Sequence, residues 1–404
     1  MSLEILKELH KKAYLFFEEE VKKEDSNFGL IYDNSKDKNI CSIAGTGFYL
    51  TSLLIGVENN YIERDKALEN TKKTLKTLIK LPHFKGFLAH FIDARDNSLY
   101  HNSEYSTIDT MLLLNGVITI SSYFNEDEEV KFLSTSLLDR IDFKSFITKK
   151  EEKTYFYMSY NPNKYGAYAN GKEGYISLWD MTAEQIMMYI IAANYLDIDI
   201  SRELYNSFER SNGTYENISF THSPLNTLFV YQYPLAWLYN NTLTDINNFS
   251  WWDNCTKACR AQKIYASKNK DKFLLNDDLF GFSASESKNG YKVYCLPPND
   301  KDFFNVDGTL CAHGFIGSLP FIPDSSINCI KYIYNNYPNY QGKYGFYDAF
   351  NLKENWYSSS YYSIDKGLEL LMLDNYLNNN IFKYYSNSKY IKTGLERLGF
   401  KWQP

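Results

Sequence analysis

The sequence predicts an all-α protein, a double-layered (α/α)6 toroid of about six helix pairs, and two observations carry the prediction. Amphipathic helical segments alternate with segments almost free of charge, and no fixed-period repeat accompanies the alternation, which disfavours a solenoid. Helix pairs with one exposed and one buried member close most simply into a ring. The prediction is one catalytic domain over residues 1–404.

The first segment, 3–22, sets Leu6, Leu9, Ala13, Phe16 and Phe17 on one face with Lys and Glu opposite, so it reads as an outer helix. Segment 42–57 carries no charged residue at all and reads as an inner helix, buried on every side. The pattern repeats as 61–81 (outer), 107–123 (inner), 125–141 (outer) and 184–196 (inner). Further helices are expected at 202–210, 226–239, 251–267, 308–319, 323–337 and 363–377, about twelve in all. Segments 150–179 and 273–306, rich in Tyr, Gly, Asn and Pro, read as long loops, the places where a rigid scaffold tends to carry function.

Composition narrows the function. The chain is 44% hydrophobic and 23% charged, ordinary globular usage, which excludes disorder. A net charge of -6 leaves no basic field to hold nucleic acid. No apolar run reaches the roughly 18 residues of a membrane span. The first residues lack the layout of a secretory signal, and the expected compartment stays open: cytoplasmic as the chain stands, or secreted or periplasmic if a leader has been removed. Six cysteines without a Cys-x-x-Cys pair and six scattered histidines predict no metal and no cofactor, with Cys255 and Cys259 on a buried helix face. Aromatic residues make up 17%, with 36 tyrosines, which reads either as genome bias or as stacking surface for sugars.

In such a ring the inner helices run the same way and their N-terminal ends gather at one mouth. Carboxylates recur there: Asp109, Glu184 and Asp365, from three helices. Two carboxyl groups, one acid and one base, are what glycosidic cleavage requires. Each also has a bland reading. Ser106 with Asp109 makes a capping box, Asp180 or Thr182 caps the Glu184 helix, and Asp365 complements a helix dipole. Glu104 stands upstream of Asp109 as a source of like charge. Trp179, Tyr233, Trp356 and Tyr362 lie near the same helix starts and read as a sugar platform; Trp237 reads equally as core.

The order of segments resembles the glycoamylase-like family of bacterial carbohydrate enzymes, which includes the endo-β-1,2-glucanases of glycoside hydrolase family 144. The matching pieces include Gly29-Leu30-Ile31-Tyr32-Asp33, Glu104 through Thr110, Glu184 with its apolar helix, Gln232-Tyr233, Asp348-Ala349-Phe350-Asn351 and Ile364-Asp365-Lys366-Gly367. The resemblance implies a six-pair helical toroid and inverting hydrolysis of a β-glucan, most specifically β-1,2-glucan or its oligosaccharides. It implies Glu184 as proton donor, with Asp365, or Asp109, as the base that activates water. His90, Glu104, Trp179, Gln232, Tyr233, Asn351, Trp356 and Tyr362 are expected to bind an oligo- or polysaccharide. After Gln232-Tyr233 the family shows a His, a Trp and an Asp-Arg clamp where this chain has Pro234, Trp237 and Tyr239-Asn240-Asn241. The alternatives are a carbohydrate-binding protein without turnover, a retaining transglycosylase, or an all-helical interaction scaffold.

Overall fold

The structure, a computed structural model, describes residues 2–166, 171–298 and 306–401. Fifteen α-helices run through the described residues: α1 (Ser2–Glu20), α2 (Ile43–Glu58), α3 (Arg64–Lys80), α4 (Thr107–Tyr123), α5 (Glu128–Asp139), α6 (Ile186–Ala192), α7 (Ile198–Ser207), α8 (Phe229–Trp237), α9 (Trp251–Lys268), α10 (Lys270–Phe273), α11 (Ala312–Gly317), α12 (Pro323–Asn336), α13 (Ser363–Leu377), α14 (Asn380–Tyr385) and α15 (Lys389–Leu398). The fold is helix-rich, and burial follows the expected alternation. Helices α2, α4, α6, α8, α11 and α13 are buried on nearly every side. Helices α1, α3, α5, α7, α9 and α12 bury one face only.

Local chemistry sets the helix ends. Ser42 caps α2 by accepting from the Gly45 N–H, Ser106 caps α4 through the Asp109 N–H, and Asp127 caps α5 through Glu129 and Val130. Pro323 opens α12, where its missing N–H costs nothing. The α6 segment departs from expectation. It spans only 186–192, and Glu184 sits in the turn before it rather than inside a helix. Neither Asp180 nor Thr182 caps it; Thr182 Oγ1 donates instead to the Glu209 carbonyl.

Helices α2 and α4 meet where Gly47 faces Gly116. A Cβ on Gly116 would lie 2.1 Å from the Gly47 carbonyl oxygen, and one on Gly47 would lie 2.4 Å from that of Leu112. These are backbone atoms that no side-chain rotation can move. Gly116→Ala is therefore expected to destabilise the fold by about 1–3 kcal/mol or more, read as a lower midpoint of thermal unfolding, whereas an unchanged midpoint would show that the helices part freely.

Short strands gather at the helix starts. Ile40–Ser42 runs straight into α2 and pairs with Ile31–Tyr32 and Phe91–Asp93, with Ser42 opposite Phe91. Tyr105–Ser106 leads into α4 and pairs with Lys153–Asn161, which also pairs with Gly174–Leu178 and Ile147–Lys150. Leu310–Cys311 leads into α11 and pairs with Ala349–Asn351, which pairs in turn with Trp356–Tyr357. One expectation is corrected here. Of the 150–179 segment, Lys153–Asn161 and Gly174–Leu178 are paired strands rather than loop, and 167–170 lie outside the described residues; further on, Trp356 and Tyr357 form a strand and Tyr361 is buried. Within 273–306, the part 299–305 lies outside the described residues. All six cysteines are buried and none is in a disulfide, with Cys255 and Cys259 on one face of α9. No helix among the described residues is long and apolar enough to cross a membrane.

Candidate active site

The N-terminal ends of α2, α4, α8 and α13 and the turn before α6 converge on one cavity of about 480 Å³. Ser42, Asp109, Glu184, Tyr233 and Asp365 line it from those five places, and Asp33, His90, Tyr291 and Tyr362 close its sides. Asp109, Glu184 and Asp365, far apart in sequence, thus face one space. A second cavity, of about 290 Å³, continues past His90, Ile108 and Asp109 to Glu104 and Trp179. The two cavities share His90, Ile108 and Asp109 in their walls.

Each acid has its own setting. Glu184 is fixed by a stitched turn. Gln185 Nε2 donates to the Met181 carbonyl at 2.7 Å, Gln185 Oε1 accepts from the Ala183 N–H at 2.9 Å, and the Glu209 N–H donates to the Asp180 carbonyl at 2.8 Å. Burial pushes its carboxyl up to about 7, and the Asp109 charge adds to the rise. It therefore keeps its proton near neutrality, as a general acid must. Glu104 is not the source of that like charge, contrary to expectation, since its carboxylate turns to His90.

His90 bridges two acids. Its Nδ1 lies 2.9 Å from Glu104 Oε1 and its Nε2 lies 3.6 Å from Asp109 Oδ1. Burial alone would lower the imidazolium, but the Asp109 charge, the Glu104 hydrogen bond and Asp33 outweigh it and push His90 up to about 9. As a cation it offers both ring N–H groups to those carboxylates. Asp109 also bonds to Ser106, through Ser106 Oγ and its own N–H, so the capping reading holds alongside the site.

Asp365 sits deepest, 2% exposed in the first turn of α13. Tyr233 donates its hydroxyl to Asp365 Oδ1 at 3.4 Å, and His313 Nδ1 lies 3.3 Å from the same oxygen. Asp365 Oδ2 is buried and has no donor among the described residues. Burial first, and then the charge of Asp348, hold this carboxyl well above the usual carboxylate range.

Three predicted sugar-binding residues fall outside the site. Gln232 is wholly buried between α8 and α11, donating to Ser318 Oγ at 3.1 Å and to the Gly314 carbonyl, because its helix turn faces the core. Asn351 is 2% exposed and ties the 307–309 turn by donating to the Asp307 carbonyl and Thr309 Oγ1. Trp356 pairs with Asn351 in the strand behind the site and lines neither cavity. Trp179 does reach the second cavity, but it is 5% exposed and its Nε1 donates to Thr107 Oγ1 at 2.9 Å, so it offers an edge rather than a platform. Tyr362 lines the main cavity with Tyr291, ring centroids 5.5 Å apart. Trp237 is core: 0% exposed, against Phe48.

Asp33, Tyr291, His313 and Asp348 escaped the sequence reading as site residues. Asp33 and Asp348 stood in quoted motifs, and an acid in each was the available signal. Tyr291 arrives on a hairpin, Ser285–Ser287 with Gly290–Lys292, whose position no local pattern reveals.

The Glycoamylase family model, described as "Putative glucoamylase", matches residues 177–389. An exo β-1,2-glucooligosaccharide sophorohydrolase (non-reducing end) from Parabacteroides distasonis is 22% identical over 412 aligned positions, covering 93% of this chain and 55% of the relative. The chain thus spans little more than half the length of that relative. An endo-β-1,2-glucanase from Chitinophaga pinensis, solved with sophorotriose and glucose, superposes with a TM-score of 0.86 at 22% identity, over 99% of each chain. A β-1,2-glucanase from Parabacteroides distasonis superposes at 0.83 with 21% identity, over 98% of this chain and 60% of that one. These likenesses show a shared fold.

Proposed function

The chain belongs to the Glycoamylase family, and on that premise we propose that it is a glycoside hydrolase that cleaves β-1,2-glucan or its oligosaccharides with inversion. The observation that carries the reading is the convergence of Asp109, Glu184 and Asp365 on one cavity, with Glu184 raised to about 7, where it can deliver a proton near neutrality. The β-1,2-glucan activities named for the relatives supply the linkage. Six buried helices alternating with six one-faced ones support an (α/α)6 toroid, formed as one catalytic domain over residues 1–404.

Glu184 protonates the leaving glycosidic oxygen, and Asp365 receives a proton from the water that attacks the opposite face of the sugar ring. Asp365 suits the base better than Asp109, because Asp365 Oδ2 has no donor whereas both Asp109 oxygens already face Ser106 and His90. Asp109 and Glu104, held by the His90 cation, bind sugar hydroxyls, and Tyr233, Tyr291 and Tyr362 pack on the ring. The Asp-Arg clamp missing after Tyr233 leaves those aromatics and acids as the groups that grip the substrate.

Proton NMR of the first-formed reducing end tests the stereochemistry. With a β-1,2-linked oligosaccharide the α-anomer is expected first. Accumulation of the β-anomer first would mean retention and would move the chain towards transglycosylation.

A further inference from the structure

Asp365 has a buried partner that the proposed reaction has not yet used. Asp348 is 2% exposed, just before the Ala349–Asn351 strand, and its carboxyl and that of Asp365 each place an oxygen within 4.8 Å of the other. Asp348 Oδ2 accepts the Glu286 backbone N–H at 2.7 Å, and Tyr340 donates its hydroxyl to the Asp348 carbonyl at 3.1 Å, so the residue is fixed in place. Each carboxyl keeps one buried oxygen, Asp348 Oδ1 and Asp365 Oδ2, for which no protein donor is present among the described residues.

As two anions, these groups would stand within 4.8 Å of each other with no cation bonded to either. The adjacent ammonium, Lys366, points to Glu369 at 2.7 Å. His313 supplies no charge, since burial and the Lys366 ammonium push it down to about 3. Asp33, Glu286 and Glu369 face the pair as further carboxyls, and Tyr233, Tyr291, Tyr340, Tyr362 and Cys311 face it as groups that ionise only at high pH. Like charges this close do not both ionise in a desolvated site, and one proton between them satisfies both carboxyls.

We propose that Asp348 is a positioning residue: it and Asp365 hold one proton between them, and Asp348 takes that proton over as Asp365 receives one from the attacking water. This rests on the reading of Asp365 as base. As the water oxygen bonds to the anomeric carbon, its O–H bond breaks and the proton passes to Asp365. The proton already on Asp365 moves to Asp348, and Glu184 releases its own to the leaving oxygen. The pair ends with two protons and Glu184 with none; return of one proton from the pair to solvent and uptake of one by Glu184 resets the site. Asp348 is the better seat for the charge, because the Glu286 N–H and the Lys366 field favour its anion and Asp365 Oδ2 has no such donor.

The test is the pH profile of kcat and KM on a β-1,2-linked oligosaccharide for wild type, Asp348→Asn, Asp348→Glu and Asp365→Asn, with thermal unfolding of each and metal analysis of the wild type. Asp348→Asn is expected to lower kcat by about 10²-fold with little change in KM, and to move the acid limb up, since the ionising group is then the desolvated Asp365 alone. Asp348→Glu, which can still take the proton, is expected to recover part of kcat and the wild-type limb. If Asp365→Asn keeps wild-type kcat, the base assignment itself fails. If Asp365→Asn is inactive while Asp348→Asn has wild-type kcat and limb, the base stands and the shared proton is overturned. A loss of kcat in Asp348→Asn with an unmoved limb also overturns it. So does a stoichiometric metal ion whose chelation abolishes activity, because His313, Asp348 and Asp365 each present one ligand-type atom within 4.8 Å of the others.

Discussion

Glu184→Gln is expected to lower kcat on β-1,2-glucan oligosaccharides by about 10²–10⁴-fold while leaving KM within a few fold, the signature of a group whose contribution is made in the transition state. The amide keeps the shape and can still hydrogen-bond a sugar, but it has no proton to give. The pH dependence supplies a second readout. A general acid acts in its protonated form, so with Glu184 at about 7 the wild-type rate falls as pH rises through that value. Burial is the main cause of the shift, so salt should move this limb little. In the glutamine variant the basic limb should vanish. A variant that kept wild-type turnover would remove Glu184 from the chemistry.

Trp237→Ala is expected to cost about 3–5 kcal/mol of stability, a large share of the roughly 5–15 kcal/mol that holds a folded domain together. Trp237 is wholly buried at the end of α8, its ring centroid 4.8 Å from that of Phe48 on α2, and its Nε1 donates to Thr51 Oγ1 at 3.1 Å. Truncation opens a cavity between two inner helices and removes the donor to Thr51 Oγ1, whose own O–H still donates to the Gly47 carbonyl. Chemical denaturation should show a lower midpoint, with the residual folded fraction retaining its affinity for oligosaccharide. Weakened binding with unchanged stability would instead return Trp237 to the sugar-binding surface.

The helices were legible where the chain is buried on all sides for several turns. Expected segments 107–123 and 363–377 coincide with α4 and α13, and 42–57 is offset by one residue from α2. Legibility failed where length did. The apolar run from 184 was read as one helix, but only 186–192 is helical, because the preceding turn is held by side-chain bonds of Gln185 and Thr182 that outbid the helix. Helices α14 and α15 went unread, although α15 buries Ile391, Gly394, Leu395 and Leu398 along one face. The strands, many of two or three residues, are too short for an alternating pattern and form only because the helix starts bring them side by side.

The site divides along the same line. Asp109, Glu184, Asp365, Tyr233 and Tyr362 sit at or beside inner-helix starts, a location sequence patterning can find, and all five line the cavity. Gln232 belongs to such a helix too, but a single residue of offset on a helix turns a side chain by about 100°, enough to send it into the α11 contact instead. Asp33 and Asp348 come from strand connections and reach the acids only through tertiary pairing, as the Ser363 N–H bond to the Asp33 carbonyl and the Asp348 N–H bond to the Ser360 carbonyl show.

The most direct test of the central claim is incubation of the purified protein with β-1,2-glucan beside β-1,3- and β-1,4-glucans, following new reducing ends. The account predicts release of oligosaccharides from β-1,2-glucan, and loss of that release in Glu184→Gln. Binding of β-1,2-glucan with no reducing ends released from any glucan would contradict it and make the chain a carbohydrate-binding protein.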